Sequence, residues 1–109
     1  MTDLFGKPIK NLELERDFQA RVCELAVILG WRIYSIPDSR RATVAGYPDL
    51  TMWHPKHRQF LMAELKREKG RLSEAQKSVI AELTHCGVRV YVWKPSDWDK
   101  IEQVLKGKP

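Results

Sequence analysis

Apolar positions along this chain follow two rhythms. Leu14, Phe18, Val22, Leu25, Ala26 and Leu29 recur at three- and four-residue steps, the mark of one buried helix face. The spacing predicts a first helix from about Leu12 to Leu29, stopped at Gly30. Trp31-Arg32-Ile33-Tyr34-Ser35-Ile36 then alternates with a period of two and is rich in β-formers, so it reads as a strand. Two more strands are predicted at Asp49–Trp53 and Gln59–Lys66, joined by the polar turn His54-Pro55-Lys56-His57-Arg58. A second helix opens at Ser73, where Ser73-x-x-Gln76 has the form of a capping box. Val79, Ile80 and Leu83 give it an inner face and Gly87 ends it. Val88–Trp93 is a fourth strand. Pro95-Ser96-Asp97 starts a last helix, with Ser96-x-x-Asp99 as a candidate reciprocal cap and Trp98, Ile101 and Leu105 on its apolar face.

The predicted order is helix, three strands, helix, strand, helix. Three successive strands form a meander, and the second helix crosses over so that the fourth strand joins in parallel. The expected fold class is α/β, a mixed four-stranded sheet flanked by helices on both faces. Residues 1–11, with Gly6, Pro8 and Asn11 and no clear period, read as an irregular lead-in to a single domain over 12–109.

Composition narrows the partners. With 43% hydrophobic and 30% charged residues, the 109-residue chain suits one globule with a real core and no second module. No apolar run approaches the ~18 residues of a membrane span, and the N-terminus lacks the apolar stretch of a signal peptide. A cytoplasmic setting, in a bacterial or phage-infected host cell, is therefore expected. Cys23 and Cys86 lie in helical stretches and read as buried reduced thiols. The net charge of +5 favours a polyanionic partner, most often nucleic acid. Trp31, Trp53, Trp93 and Trp98 would suit base stacking, but all fall at element ends or on periodic faces, so packing is the expected use. His54 and His57 have no cysteine or carboxylate at ligand spacing and read as polar turn surface, not a zinc site.

The chemistry concentrates in two runs, Gly46-Tyr47-Pro48-Asp49-Leu50 and Ala63-Glu64-Leu65-Lys66. Strand, turn and strand between them would bring Asp49, Glu64 and Lys66 to one end of the sheet. Phosphodiester hydrolysis needs a nucleophilic water, relief of phosphoryl charge and help for the leaving oxygen. Mg2+ can serve all three with one or two carboxylates plus waters. Asp49, Glu64 and the Leu65 carbonyl would provide that set, and Lys66 reads as a cation that orients the attacking water rather than as a general base. On ~100° per residue, Glu15 projects into the apolar stripe of the first helix. Two roles stand open for it: a further ligand, or a first-turn glutamate favoured by the helix dipole. Gln76 is a cap that can also face the site. Ser39, Arg40 and Arg41 before the second strand, and Arg67, Lys69 and Arg71 after the third, are candidate phosphate contacts.

Taken as a set, these runs resemble a known family. Gly46-Tyr47-Pro48-Asp49 with Ala63-Glu64-Leu65-Lys66 resembles the PD-(D/E)xK nuclease motif. Glu15-Arg16-Asp17-Phe18-Gln19, Gly30-Trp31-Arg32-Ile33-Tyr34, Asp38-Ser39-Arg40-Arg41, Gly70-Arg71-Leu72-Ser73-x-x-Gln76 and Gly87-Val88-x-Val90-Tyr91-Val92-Trp93 extend the likeness to the VRR-NUC (virus-type replication-repair nuclease) domains over roughly residues 13–105. The resemblance implies a restriction-endonuclease-like core and dependence on Mg2+, with Mn2+ able to substitute. It implies metal ligation by Glu15, Asp49, Glu64 and the Leu65 carbonyl, a catalytic Lys66 and an accessory Gln76. The stand-alone phage and bacterial type is similar to Holliday-junction resolvases, which act as homodimers on branched double-stranded DNA. Two alternatives remain beside a junction resolvase: a flap or nicking endonuclease, and a non-catalytic DNA-binding module whose acids only form ion pairs.

Overall fold

The computed structural model describes residues 13–36 and 43–107. The elements run α1 (Glu15–Ile28), β1 (Arg32–Ser35), β2 (Leu50–His54), β3 (Gln59–Leu65), α2 (Glu74–His85), β4 (Val90–Trp93), a short 3-10 turn (Pro95–Asp97) and α3 (Trp98–Leu105). The sheet order is β1-β2-β3-β4. β1–β2 and β2–β3 are antiparallel and β3–β4 is parallel, as the meander and crossover require. This is the mixed, helix-flanked sheet expected of a restriction-endonuclease-like core.

Side-chain alternation divides the sheet into two unlike faces. Met52, Leu61, Leu50, Ala63, Leu65 and Trp93 point to one side and are buried with Phe18, Val22 and Ala26 of α1 and Ile101, Val104 and Leu105 of α3. Trp31 ties these layers together by donating its indole N–H to the Leu105 carbonyl at 2.8 Å. The opposite side carries Phe60, Met62 and Glu64 of β3 with their partners on β2 and β4. Helix α2 covers that side above β3 and β4, and Val79 is its buried contact. Leu61 to Leu65 are consequently all buried, because both faces of β3 are roofed at that end.

Helix α1 begins at Glu15, later than expected, and Leu14, at the N-cap, offers no side-chain capping bond. Leu14 is exposed, so the predicted stripe buries fully only at Phe18, Val22 and Ala26. Helix α2 follows the predicted capping box: Ser73 Oγ accepts the Gln76 N–H at 3.1 Å, and Gln76 Oε1 accepts the Ser73 N–H at 2.8 Å. The last helix is entered differently. Asp97 Oδ2, not Asp99, accepts from the Lys94 N–H at 2.9 Å, and the 3-10 turn intervenes. Neither thiol is buried in the core: Cys23 is partly buried, Cys86 is exposed, and both are free.

His54 is a correction of substance. It is buried, not turn surface. Its Nδ1 accepts the His57 N–H at 3.1 Å, so its Nε2 carries the proton and donates to the Leu29 carbonyl at 2.9 Å. Both ring nitrogens are used in joining the end of α1 to the β2–β3 turn. Gly30, with φ of +95°, passes so close that a Cβ there would lie 2.8 Å from His54 Nε2. No described group of three His, Cys, Asp or Glu side chains forms a metal cluster at this turn or elsewhere. Among the described residues no helix is long and apolar enough to cross a membrane.

Candidate functional site

The loop before β2 is held against the start of α2. Gly46 has φ of +89°, and a Cβ on it would fall 2.5 Å from the Ala75 carbonyl and 2.7 Å from the Gln76 nitrogen. Only glycine allows that approach. It brings Tyr47, Pro48 and Asp49 over the end of β3, and a cleft of about 420 Å3 opens there. Glu15, Ile36, Gly46, Tyr47, Asp49, Glu64, Lys66, Ser73 and Gln76 are among its walls.

The antiparallel register explains the carboxylate pair. Leu50 faces Ala63, so the next step along both strands sets Asp49 beside Glu64. Asp49 Oδ2 accepts the Leu65 N–H at 2.8 Å, which fixes its side chain across the strand end. Glu64 is buried. Its Oε1 accepts from Gln76 Nε2 at 3.1 Å and lies 3.9 Å from Lys66 Nζ. Its Oε2 is buried with no partner.

Burial, first, and then the Asp49 charge and a hydrogen bond to Asp49 push the Glu64 carboxyl up to about 8 from its ordinary 4.5. Lys66 pulls it down by a lesser amount, and Glu15 adds to the upward push. As a carboxylate, Glu64 Oε2 is an orphaned acceptor; as an acid it has a donor to offer Asp49. The site therefore lacks one positive charge. A proton on Glu64 or a bound divalent cation would supply it.

The predicted site residues fall into three groups. Asp49, Glu64, Lys66 and Gln76 converge as expected, and Glu15 lines the same cleft. Glu15, however, is exposed at the first position of α1, so it stands at the rim and not among core side chains. Leu65 turns its side chain into the core and its N–H toward Asp49. Arg67, Lys69 and Arg71 are exposed on the link between β3 and α2. That link is pinned where Glu68 Oε2 accepts the Ser96 N–H at 3.0 Å. Ser39, Arg40 and Arg41 lie outside the described residues. The sequence reading missed Ile36, Val44 and Ala75 as cleft walls; as small or apolar residues they carry no signal of their own.

Comparison with known proteins agrees with this geometry. The chain is 44% identical over 48 residues to the Fanconi-associated nuclease 1 homolog of Schizosaccharomyces pombe, covering 44% of this chain but 7% of that protein. The chain thus spans only part of the length of the curated relative it matches. No solved structure matches. A model of the VRR-NUC domain matches residues 14–97, a span holding the whole sheet, both cleft-forming helices and every described side chain of the carboxylate site. The chain belongs to the VRR-NUC domain family.

Proposed function

We propose that the chain is a metal-dependent, structure-specific DNA endonuclease that hydrolyses phosphodiester bonds at this cleft. The observation that carries the reading is the buried Glu64 beside Asp49, short of one positive charge and with one oxygen unpartnered. The donors are all oxygens, which suits Mg2+, with Mn2+ as a substitute. Asp49, Glu64 and the Leu65 carbonyl would hold the ion; Glu15, exposed at the rim, is not grouped with the other two acids as a ready metal cluster and would join only by swinging inward. Such a set leaves positions for water, as Mg2+ prefers. When bound, the ion supplies neutralisation of charge on the phosphoryl group.

The other residues act around it. Lys66 Nζ, on the open side of Glu64, orients the attacking water and offsets developing negative charge. Gln76 holds Glu64 in place through its amide. Arg67, Lys69 and Arg71, together with Ser39, Arg40 and Arg41, receive the backbone phosphates. For the substrate we favour branched double-stranded DNA, cut as a Holliday junction by a homodimer, since paired cuts need two such clefts. A flap or nicking reading is favoured by a different observation, the aromatic side chains left exposed on the sheet beside the cleft.

A gel assay with four-way, flap, nicked and linear DNA, with and without Mg2+, tests the proposal. Cleavage that needs the metal and disappears in Glu64→Ala, with binding kept, is the expected result. If the intact protein cuts none of these, and Glu64→Ala only tightens binding, the chain is a DNA-binding module and the reading fails.

A further inference from the structure

Helix α2 roofs only half of its side of the sheet. It is the crossover between neighbouring strands β3 and β4, so it lies above those two. On the same side, no described helix covers β1, β2 and the start of β3. Their outward residues form two cross-strand rows: Tyr34 with Thr51, ending at the buried Met62 on β3, and Arg32 with Trp53 and Phe60. Tyr34 is 58% exposed, Phe60 50% and Trp53 38%. Large aromatics on a sheet face normally sit under a helix or second sheet. No described helix covers these three, and Trp53 is only partly packed.

We propose that this open face is a stacking track for an unpaired DNA strand entering the cleft. Three observations select that occupant. The rows lie on the side of the sheet that carries Glu64 and reach β3 two and four residues back from it, about 7 and 13 Å along the strand at ~3.3 Å per residue; Tyr34, two strands across at ~4.8 Å per strand, is about 12 Å from Glu64. The face is electropositive away from the site: Arg32 stands in the Trp53 row, and Lys56 and Arg58 are exposed on the turn beyond it. Among the described residues on this side of β1, β2 and β3, the acids are Glu64 and, just before β2, Asp49, both of the site itself. Aromatic rings interleaved with cations, without acids, accept bases and phosphates in any sequence. An unpaired arm laid over Trp53, Phe60 and Tyr34 would deliver its junction with duplex to the cleft. The inference rests on the nuclease reading for that direction of travel; the track itself does not.

The test is fluorescence anisotropy of a labelled single-stranded oligothymidine in EDTA, where cutting is absent. Trp53→Ala should weaken binding by about 5- to 100-fold. Trp53→Phe, which keeps a ring, should stay within about threefold. The loss should exceed that for a blunt duplex of equal length, and wild-type affinity should fall as salt rises. Melting of each variant confirms folding, and Tyr34→Ala gives a second reading at an independent position. Single-strand affinity unchanged within twofold in both alanine variants overturns the proposal. A wild-type dimer that Trp53→Ala converts to monomer, with single-strand affinity per chain unaltered, also overturns it and gives the face to a second copy of the chain. If the wild type cuts no DNA yet binds single strands through Trp53, the track stands and the nuclease reading falls.

Discussion

Replacing Glu64 by glutamine isolates the charge deficit of the cleft. The wild-type carboxyl is 2% exposed and held up at about 8 against an ordinary 4.5. That interval corresponds to about 5 kcal/mol at ~1.4 kcal/mol for each tenfold in proton concentration. Water entry and relaxation reduce such figures, so about 2–5 kcal/mol is the expected size. In the unfolded chain Glu64 loses its proton near 4.5, whereas in the fold it keeps it to about 8. Between those values the folded state binds more protons, so stability falls as pH rises. The contribution is complete below 4.5 and lost above about 8. The amide of the Glu64→Gln variant cannot titrate, so the variant lacks this pH dependence.

Thermal melts in EDTA between pH 5 and 8 measure the effect as wild type minus Glu64→Gln, which cancels the other titrating groups. Because pH 8 is only the midpoint of the folded-state titration, about 1.5–3.5 kcal/mol of this falls within the window, and the difference should swing against the wild type by roughly 6–14 °C, at ~4 °C per kcal/mol for a domain of this size. Added Mg2+ should reverse the trend, because the ion competes with the proton for the same oxygens. Its apparent affinity should drop about tenfold for each pH unit below 8 and be largely lost in Glu64→Gln. Parallel melting curves for the two proteins over this range, or equal stabilisation of both by Mg2+, would refute the reasoning.

Three further perturbations separate support from chemistry. Gln76→Ala removes the donor to Glu64 and the acceptor for the Ser73 N–H, so it should cost about 1 kcal/mol in a melt and weaken Mg2+ binding about 10- to 100-fold. Gln76→Glu keeps the capping acceptor but sets an oxygen where the donor to Glu64 stood, in a site already short of positive charge, so at pH 8 in EDTA it should melt below the wild type despite its intact cap. Gly46→Ala drives a methyl into the Ala75 carbonyl at φ of +89°, and urea unfolding should show a loss of about 1–3 kcal/mol together with weaker metal binding, since Asp49 moves with the loop. His54→Ala leaves the Leu29 carbonyl and the His57 N–H unpaired, and should cost about 1–3 kcal/mol by urea unfolding while leaving Mg2+ affinity within twofold.

Much of the fold was legible because local and tertiary preferences agree. Ser73-x-x-Gln76 announces a helix start that the structure then uses, and the strand periods around Asp49 and Glu64 imply the pairing that sets the two acids side by side. Glu15 was only half legible. A helical projection gives its angle correctly, but says nothing of whether the sheet still extends beneath the first turn. Glu15 and Leu14 are both exposed at the helix end, although Glu15 lines the cleft. His54 was misread because a turn histidine is polar by type, and the two backbone groups that bury it come from α1 and from its own turn.

The tryptophans show most clearly where sequence reading stops. Trp53 and Trp93 both lie near the end of an apolar strand, yet Trp93 is buried under α1 and α3 and Trp53 is partly open to solvent. What separates them is parity and topology. Trp93 pairs with Leu65, on the side that two helices share, whereas Trp53 pairs with Phe60, on the side served by α2 alone. A crossover helix between adjacent strands is anchored at both ends over those strands and cannot also roof β1 and β2. Among the described elements the strand order itself thus leaves this face without a helix, and the exposed area of its aromatic side chains is what the stacking proposal explains.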